Sequence, residues 1–230
     1  MVKKPSRHYP LFLDLEGRPC VVVGGGAVAG RKVRTLLEAG ATVTVVSPSF
    51  SPGLKRLLRV KAFKGRLTLK PERFRPSHLK GALLVFAATD DPLVNGRVCE
   101  AGRKAGALVN VSDLPEACDF IVPSAFRQGD LQIAISTGGR SPAAAKRIRE
   151  EIEARYGPEW KSFLRLMGRW RRKILTMIPH PDKREKLFNS LARSDLLSMV
   201  ARGAPPGELD RRVRELIKEA GGWGKKTEGR

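Results

Sequence analysis

The sequence predicts an α/β protein: a doubly wound parallel sheet, then a small β-hairpin, then a C-terminal helical region. Three observations carry this. Short apolar runs alternate with amphipathic stretches through the first half, two later apolar runs flank a polar glycine turn, and no strand candidate follows them. With 230 residues, 41% of them hydrophobic, the chain suits one large domain or two small ones around a real core.

The runs "CVVVG", "ATVTVVS", "RLTLK", "ALLVFAAT" and "ALVNVS" read as strands, mostly apolar throughout, as expected where helices cover both faces of a parallel sheet. Between them, residues 27–39, 52–58 and 92–104 have helical spacing, and the β-α-β-α order implies right-handed crossovers. "DFIVPSAF" and "LQIAIST" flank "RQGD" and predict a hairpin. A helix then starts with Ser141 as N-cap and Pro142 at its first position. Amphipathic helices continue to residue 222, and the tail is expected to be loose. The predicted organisation is therefore a nucleotide-binding sheet domain over 1–118, a hairpin region over 119–150, a helical domain over 151–222 and a flexible tail over 223–230.

A formal net charge of +21 asks for an acidic partner: nucleic acid, an anionic membrane surface or a polyanionic small molecule. Cys20, Cys99 and Cys118 are far apart and form no C-x-x-C pair, so reduced thiols and a cytoplasmic location are expected. The longest apolar run, "ALLVFAA", is far short of a membrane span, so neither export nor membrane insertion is expected. His8, His78 and His180 are scattered without ligand spacing, so no permanent metal site is expected.

The stretch "CVVVGGGAVAGRKVRTLLEAG" carries the clearest chemistry. Gly24, Gly26 and Ala29 fit G-x-G-x-x-(G/A), with a strand before and a helix after, as in a Rossmann-like dinucleotide site. Gly24 permits the tight turn, Gly26 lets the backbone approach a pyrophosphate, and small Ala29 allows close packing. The helix start at Ala27, Val28 and Ala29 supplies N–H groups and positive dipole charge. An acidic residue about 20 positions on, which usually accepts the ribose hydroxyls of NAD, is missing. "TVVSPSF" instead offers Ser47, Pro48 and Ser49, which leaves NADP open beside NAD. Thr89 and Asn95 in "ATDDPLVN" are further cleft candidates. The adjacent Asp90 and Asp91 favour helix capping over metal ligation, because neighbouring side chains seldom converge on one ion.

Asp113 follows the fifth strand at the carboxyl edge of the sheet, where a ligand crevice opens, and is flanked by Asn110 and Ser112, candidates to orient it and to contact substrate. Position alone divides it evenly between proton transfer and capping of the turn before Pro115. "STGGRSP" joins a strand to a capped helix. Ser136, Thr137, Gly138, Gly139 and Arg140 there form either an anion cradle or a plain flexible loop.

Read in order, "YPLFLDLEGRPCVVVGGGAVAGRKVRTLLEAGATVTVVSP", "FAATDDPLVN", "NVSDLPEACDFIVPS" and "IAISTGGRSPAAAKRIREEIE" resemble one family: precorrin-2 dehydrogenase/sirohydrochlorin ferrochelatase, the N-terminal module of sirohaem synthase. The resemblance covers about residues 8–157; the helical remainder is similar only in length and helicity. It implies a homodimer that exchanges strands through the hairpin region and dehydrogenates precorrin-2 to sirohydrochlorin with NAD+. In many members ferrous iron is then inserted as a second substrate, giving sirohaem. It implies Asp113 as the acid–base group of both steps and loop 136–140 as a binder of substrate carboxylates. No methyltransferase region is expected in this chain, so another protein would supply precorrin-2.

The basic charge then suits a polycarboxylate tetrapyrrole, with Arg31, Lys32, Arg34, Arg140, Lys146 and Arg147 near the glycine loops. Alternatives stay open: a dehydrogenase without chelatase activity, or a non-catalytic NAD-binding sensor. Nucleic-acid binding through "RWRRK" finds no supporting motif and is not expected.

Overall fold

The computed structural model describes residues 8–112 and 114–220, which divide into two compact units meeting between Val122 and Pro123. The first unit is a five-stranded, all-parallel sheet. Its strands are β1 (Pro19–Val23), β2 (Thr42–Val46), β3 (Leu67–Lys70), β4 (Leu84–Ala87) and β5 (Leu108–Val111). They lie in the order β3-β2-β1-β4-β5, so the chain winds outward from β1 in both directions and the order reverses beside it. The helices are α1 (Ala27–Glu38), α2 (Pro52–Leu57) and α3 (Pro92–Lys104), each within two residues of its predicted span.

Two separate cores explain why the strands are apolar on both faces. Cys20, Val22, Val43 and Val45 point to one side and pack with Val33, Leu36 and Leu37 of α1 and Leu54 and Leu57 of α2. Val21, Val23, Val85, Ala87 and Val109 point to the other and pack with Val98 and Cys99 of α3. Val22, Val33, Leu37 and Val85 have no exposed surface, and each such side chain contributes roughly 1.5–3 kcal/mol.

The predicted first hairpin strand starts too early. Residues 119–122 belong to the sheet unit, and the strand proper, β6, runs over Ser124–Gln128. The cause is a set of ties back to the sheet. Asp119 Oδ2 accepts the Val109 N–H at 2.9 Å, and its Oδ1 accepts from the Arg103 guanidinium at 3.0 Å. The Phe120 ring meets Phe86 edge-on at 5.4 Å, and Pro123 has no N–H for a ladder.

In the second unit β6 pairs antiparallel with β7 (Leu131–Ile135) across Gly129 and Asp130. Five helices follow: α4 (Pro142–Arg155), α5 (Glu159–Met177), α6 (Pro181–Arg193), α7 (Leu196–Ala201) and α8 (Pro206–Glu219). Ser141 caps α4 as predicted, its hydroxyl accepting the Ala144 N–H at 3.1 Å. Phe163, Leu166, Trp170 and Ile174 recur along one face of α5 and meet Leu187, Leu191, Val213 and Ile217 in a separate apolar core. Trp170 is buried there with its Nε1 donating to Asp210 Oδ1 at 2.8 Å. The expected loose tail over 223–230 lies outside the described residues. Among the described residues no helix is long and apolar enough to cross a membrane.

Candidate active site

Strand β1 ends at Val23 and the chain turns through three glycines onto α1. Gly24 has φ +127°, and a Cβ there would lie 2.1 Å from the Ala88 carbonyl oxygen; one on Gly25 would lie 1.8 Å from the Ser49 carbonyl oxygen. These two glycines let the turn sit between the ends of β2 and β4. Gly26 differs: its φ is −79° and nothing lies within 4 Å of a Cβ built on it. It borders open space at the helix N-terminus, where no side chain among the described residues caps α1 and the first intrahelical bond is Gly30 N–H to Gly26 O at 3.0 Å. The N–H groups of Ala27, Val28 and Ala29 therefore precede the helical ladder, and a side chain at 26 would project into the space before them.

The turn floors a cleft of about 1130 Å³ at the carboxyl ends of the strands. That is where ligands bind in open α/β sheets, and the volume is ample for a dinucleotide. Its walls include predicted Gly24, Gly26, Ala27, Val28, Ser47, Pro48, Ser49, Thr89 and Ser112. Ala29 is fully buried and its side chain serves the packing of α1. Thr89 and Asn95 are locked together, with Asn95 Oδ1 accepting from the Thr89 hydroxyl at 2.8 Å; Asn95 itself is buried. Asp91 caps α3, its Oδ1 accepting the Leu93 N–H at 2.8 Å. Ser112 is notable because its Oγ is buried at the end of β5 with no hydrogen-bond partner among the described residues. Asp113, the predicted acid–base residue, lies outside the described residues.

Asn110 lies in β5 and is tied to three parts of the unit. It is buried, accepts from Lys32 Nζ at 3.0 Å and donates to the Phe120 carbonyl at 3.0 Å, joining α1, β5 and the chain leaving the sheet. Lys32 also stands 5.0 Å over the Phe86 ring, so this lysine points into the unit. Phe50, Arg73, Phe74 and Arg97 line the cleft without having been foreseen. The pairing of β2 with β3, which ends at Val46 and Lys70, brings residues 73 and 74 beside the end of β2.

In the second unit, loop 136–140 turns through Gly138 and Gly139, both at positive φ. The Ser136 hydroxyl accepts the Gly138 N–H at 3.1 Å, and the Thr137 hydroxyl bonds both backbone groups of Ser141 at 3.1 Å. Arg140 is exposed and carries no ion pair among the described residues. Lys146 and Arg147 pair with Glu150 and Glu151 along α4, which is ordinary surface chemistry of small energetic weight. The three cysteines are free thiols, and burial pushes Cys20 up to about 11, keeping it protonated. No cluster of metal-ligating side chains occurs among the described residues.

Residues 11–124 match the family described as "Putative NAD(P)-binding", and residues 128–155 match "Sirohaem biosynthesis protein central". The chain is 36% identical over 210 residues to a siroheme synthase of Nitrosospira multiformis, covering 91% of this chain and 44% of that one. It is 46% identical over 144 residues to a siroheme synthase of Methylobacillus flagellatus, covering 63% of this chain and 30% of the relative. It thus spans less than half the length of these curated relatives. Among solved structures it resembles SirC, a precorrin-2 dehydrogenase, with a TM-score of 0.72 and 26% identity, covering 94% of this chain and all of that one. With the NAD(P)-binding and central regions present in order, the chain belongs to the sirohaem synthase and precorrin-2 dehydrogenase family.

Proposed function

We propose that this protein dehydrogenates precorrin-2 to sirohydrochlorin, using a nicotinamide dinucleotide bound in the cleft at the strand ends. The observation that carries this is the uncapped start of α1 behind Gly26, a built pyrophosphate cradle, in a chain related throughout its sheet and central regions to sirohaem-pathway proteins. The dinucleotide, when bound, accepts a hydride. The N–H groups of Ala27, Val28 and Ala29 hold its pyrophosphate, and Ser47, Pro48 and Ser49 face its adenosine half. Thr89 borders the opposite side of the glycine turn.

Loss of hydride from precorrin-2 leaves a proton to be removed from the macrocycle, and the Asp113 carboxylate accepts it. The unpartnered Ser112 hydroxyl holds the substrate beside that carboxylate. Loop 136–140, with the exposed Arg140 guanidinium, takes a substrate carboxylate. Residues 119–150 pair two protomers, and the protein works in the cytoplasm as a homodimer. Ferrous iron is a second substrate, inserted into sirohydrochlorin as Asp113 takes up pyrrole protons.

The test is an anaerobic absorbance time course with enzymatically generated precorrin-2 and either dinucleotide, followed by ferrous iron. Sirohydrochlorin should form only with dinucleotide present, and Asp113→Ala should keep dinucleotide affinity while losing most turnover. Iron insertion no faster than without protein would leave a dehydrogenase alone. No protein-dependent change with either dinucleotide would favour a binding protein without catalysis.

A further inference from the structure

We infer that Cys118 is a positioning residue for the proposed dehydrogenation: its thiol takes the place of a missing strand at the end of β5 and so holds the turn that carries Ser112 and runs into Asp113. The inference rests on the reading of the cleft as the site of that reaction, and it adds a residue that lies outside the cleft wall.

Among the described residues β5 is an edge strand, with β4 on one side and no strand on the other. Its even-numbered positions face β4: the Leu108 N–H donates to the Leu83 carbonyl at 3.0 Å, and the Ser112 N–H to the Ala87 carbonyl at 2.9 Å. The alternation of a strand then turns the N–H and C=O groups of Val109 and Val111 to the open side. The returning chain closes both. The Val109 N–H donates to Asp119 Oδ2 at 2.9 Å, and its carbonyl accepts the Asp119 N–H at 2.8 Å. At Val111 the partner is a side chain alone. Cys118 Sγ accepts the Val111 N–H at 3.2 Å, and its single proton is shared between the carbonyls of Val111 at 3.3 Å and Leu114 at 3.4 Å.

The two closures have different consequences. Val109 lies within the strand, where pairing with β4 continues on both sides of it. Val111 is buried and is the last residue of the strand, and the next residue, Ser112, lines the cleft with its unpartnered hydroxyl. One thiol therefore fixes the chain on both flanks of residues 112 and 113, through Val111 before them and Leu114 after. Without it both backbone groups of Val111 lose their partner on the open side, and a buried strand end shifts until it finds others. A displacement of about 1 Å at reacting groups costs up to about a hundredfold in rate, even when the residue changed touches no substrate. Cys99 provides the contrast. It is buried beside the same turn, and its Sγ donates to the Ala117 carbonyl at 3.6 Å, which the Arg103 guanidinium already serves at 3.1 Å.

Steady-state kinetics of the full chain with precorrin-2 and either dinucleotide, joined to amide hydrogen exchange on the same proteins, test this. Cys118→Ala should lower kcat by roughly tenfold, raise the KM for precorrin-2 by no more than about threefold and leave dinucleotide affinity within about twofold. Retained affinity also reports that the sheet unit is folded. Exchange at the Val111 amide should quicken by about tenfold relative to the amides of β1. Cys118→Ser, which keeps a donor and an acceptor in the same place, should recover kcat to within about threefold of wild type. Cys99→Ala should lower the melting temperature through lost packing while kcat stays within about twofold. Equal falls in kcat for the two alanine variants, in step with their melting temperatures, would make Cys118 a support of the fold and overturn the inference. Loss of dinucleotide affinity together with kcat in Cys118→Ala would overturn it in the same way. Undiminished kcat in Cys118→Ala would overturn it while leaving the dehydrogenase reading standing. A wild-type protein inert with both dinucleotides would overturn that reading and this inference with it.

Discussion

The two units solve the same packing problem and leave different residues open. In the helical unit the polar groups near the core are matched locally: Trp170 donates to Asp210, Ser141 caps its own helix, and Thr137 bonds both backbone groups of Ser141. In the sheet unit several have no partner among the described residues, namely the uncapped start of α1, the buried Ser112 hydroxyl and the exposed Arg73. Burial normally forces polar groups into pairs, so a cluster of open groups around one cleft marks where a ligand completes the structure. The helical core is closed around its own polar groups, and the open groups of the sheet unit gather at the cleft proposed for the dinucleotide.

Trp170→Ala should produce the largest effect and separates the units. It removes a buried aromatic ring and the shorter of two contacts to Asp210, which keeps Arg169 at 3.5 Å, at a cost of about 3–5 kcal/mol. Thermal unfolding followed by far-UV circular dichroism should show early loss of helix, whereas dinucleotide affinity at low temperature should hold. A parallel collapse of affinity would show that the sheet unit depends on the helical core.

The glycine turn sharpens the comparison from the other side. Gly24→Ala places a Cβ against the Ala88 carbonyl at positive φ and should cost on the order of 3 kcal/mol, together with dinucleotide binding. Gly26→Ala meets no atom and has an ordinary φ, so stability should change by less than about 0.5 kcal/mol while binding falls sharply. Equal loss of stability in both variants would make the turn a purely structural feature.

These contrasts also mark what was legible in the sequence. The strands announced themselves because Val21, Val22 and Val23 feed two different cores, which leaves no polar face to confuse the pattern. The glycine turn and the helix start behind it were legible because their parts are adjacent in the chain. The tie between Lys32 and Asn110 was not legible, because the two residues lie 78 positions apart in the chain. The early hairpin start has the same origin, since Asp119 and Phe120 are held by β5, α3 and β4. Arg73 went unseen because its neighbours are set by the β2–β3 register.

A third test probes the closed interior of the open unit. The Cys20 thiol is raised from 9.0 to about 11 by burial, so the unfolded chain ionises first as pH rises. Stability contributed by this site is full below pH 9, falls as pH climbs toward 11 and levels beyond. The loss is on the order of 2 kcal/mol relative to Cys20→Ala, which removes the titrating group. Urea unfolding of both proteins across that window should give curves that diverge; parallel curves would mean that the thiol is not shielded.

Ser112→Ala is the smallest change and the most discriminating. A buried hydroxyl without a partner costs free energy, so its removal should leave the protein as stable as before or more so, by up to about 1 kcal/mol. If the hydroxyl exists to hold the substrate, kcat/KM for precorrin-2 should fall by roughly threefold to tenfold, the weight of one neutral hydrogen bond, while dinucleotide affinity is retained. The opposite pairing, a destabilised protein with unchanged kcat/KM, would reassign Ser112 to the fold. A rise in stability with a fall in turnover is the signature expected of a group that folding leaves unsatisfied for the sake of the site, because no substitution in the helical core should improve stability at the expense of chemistry.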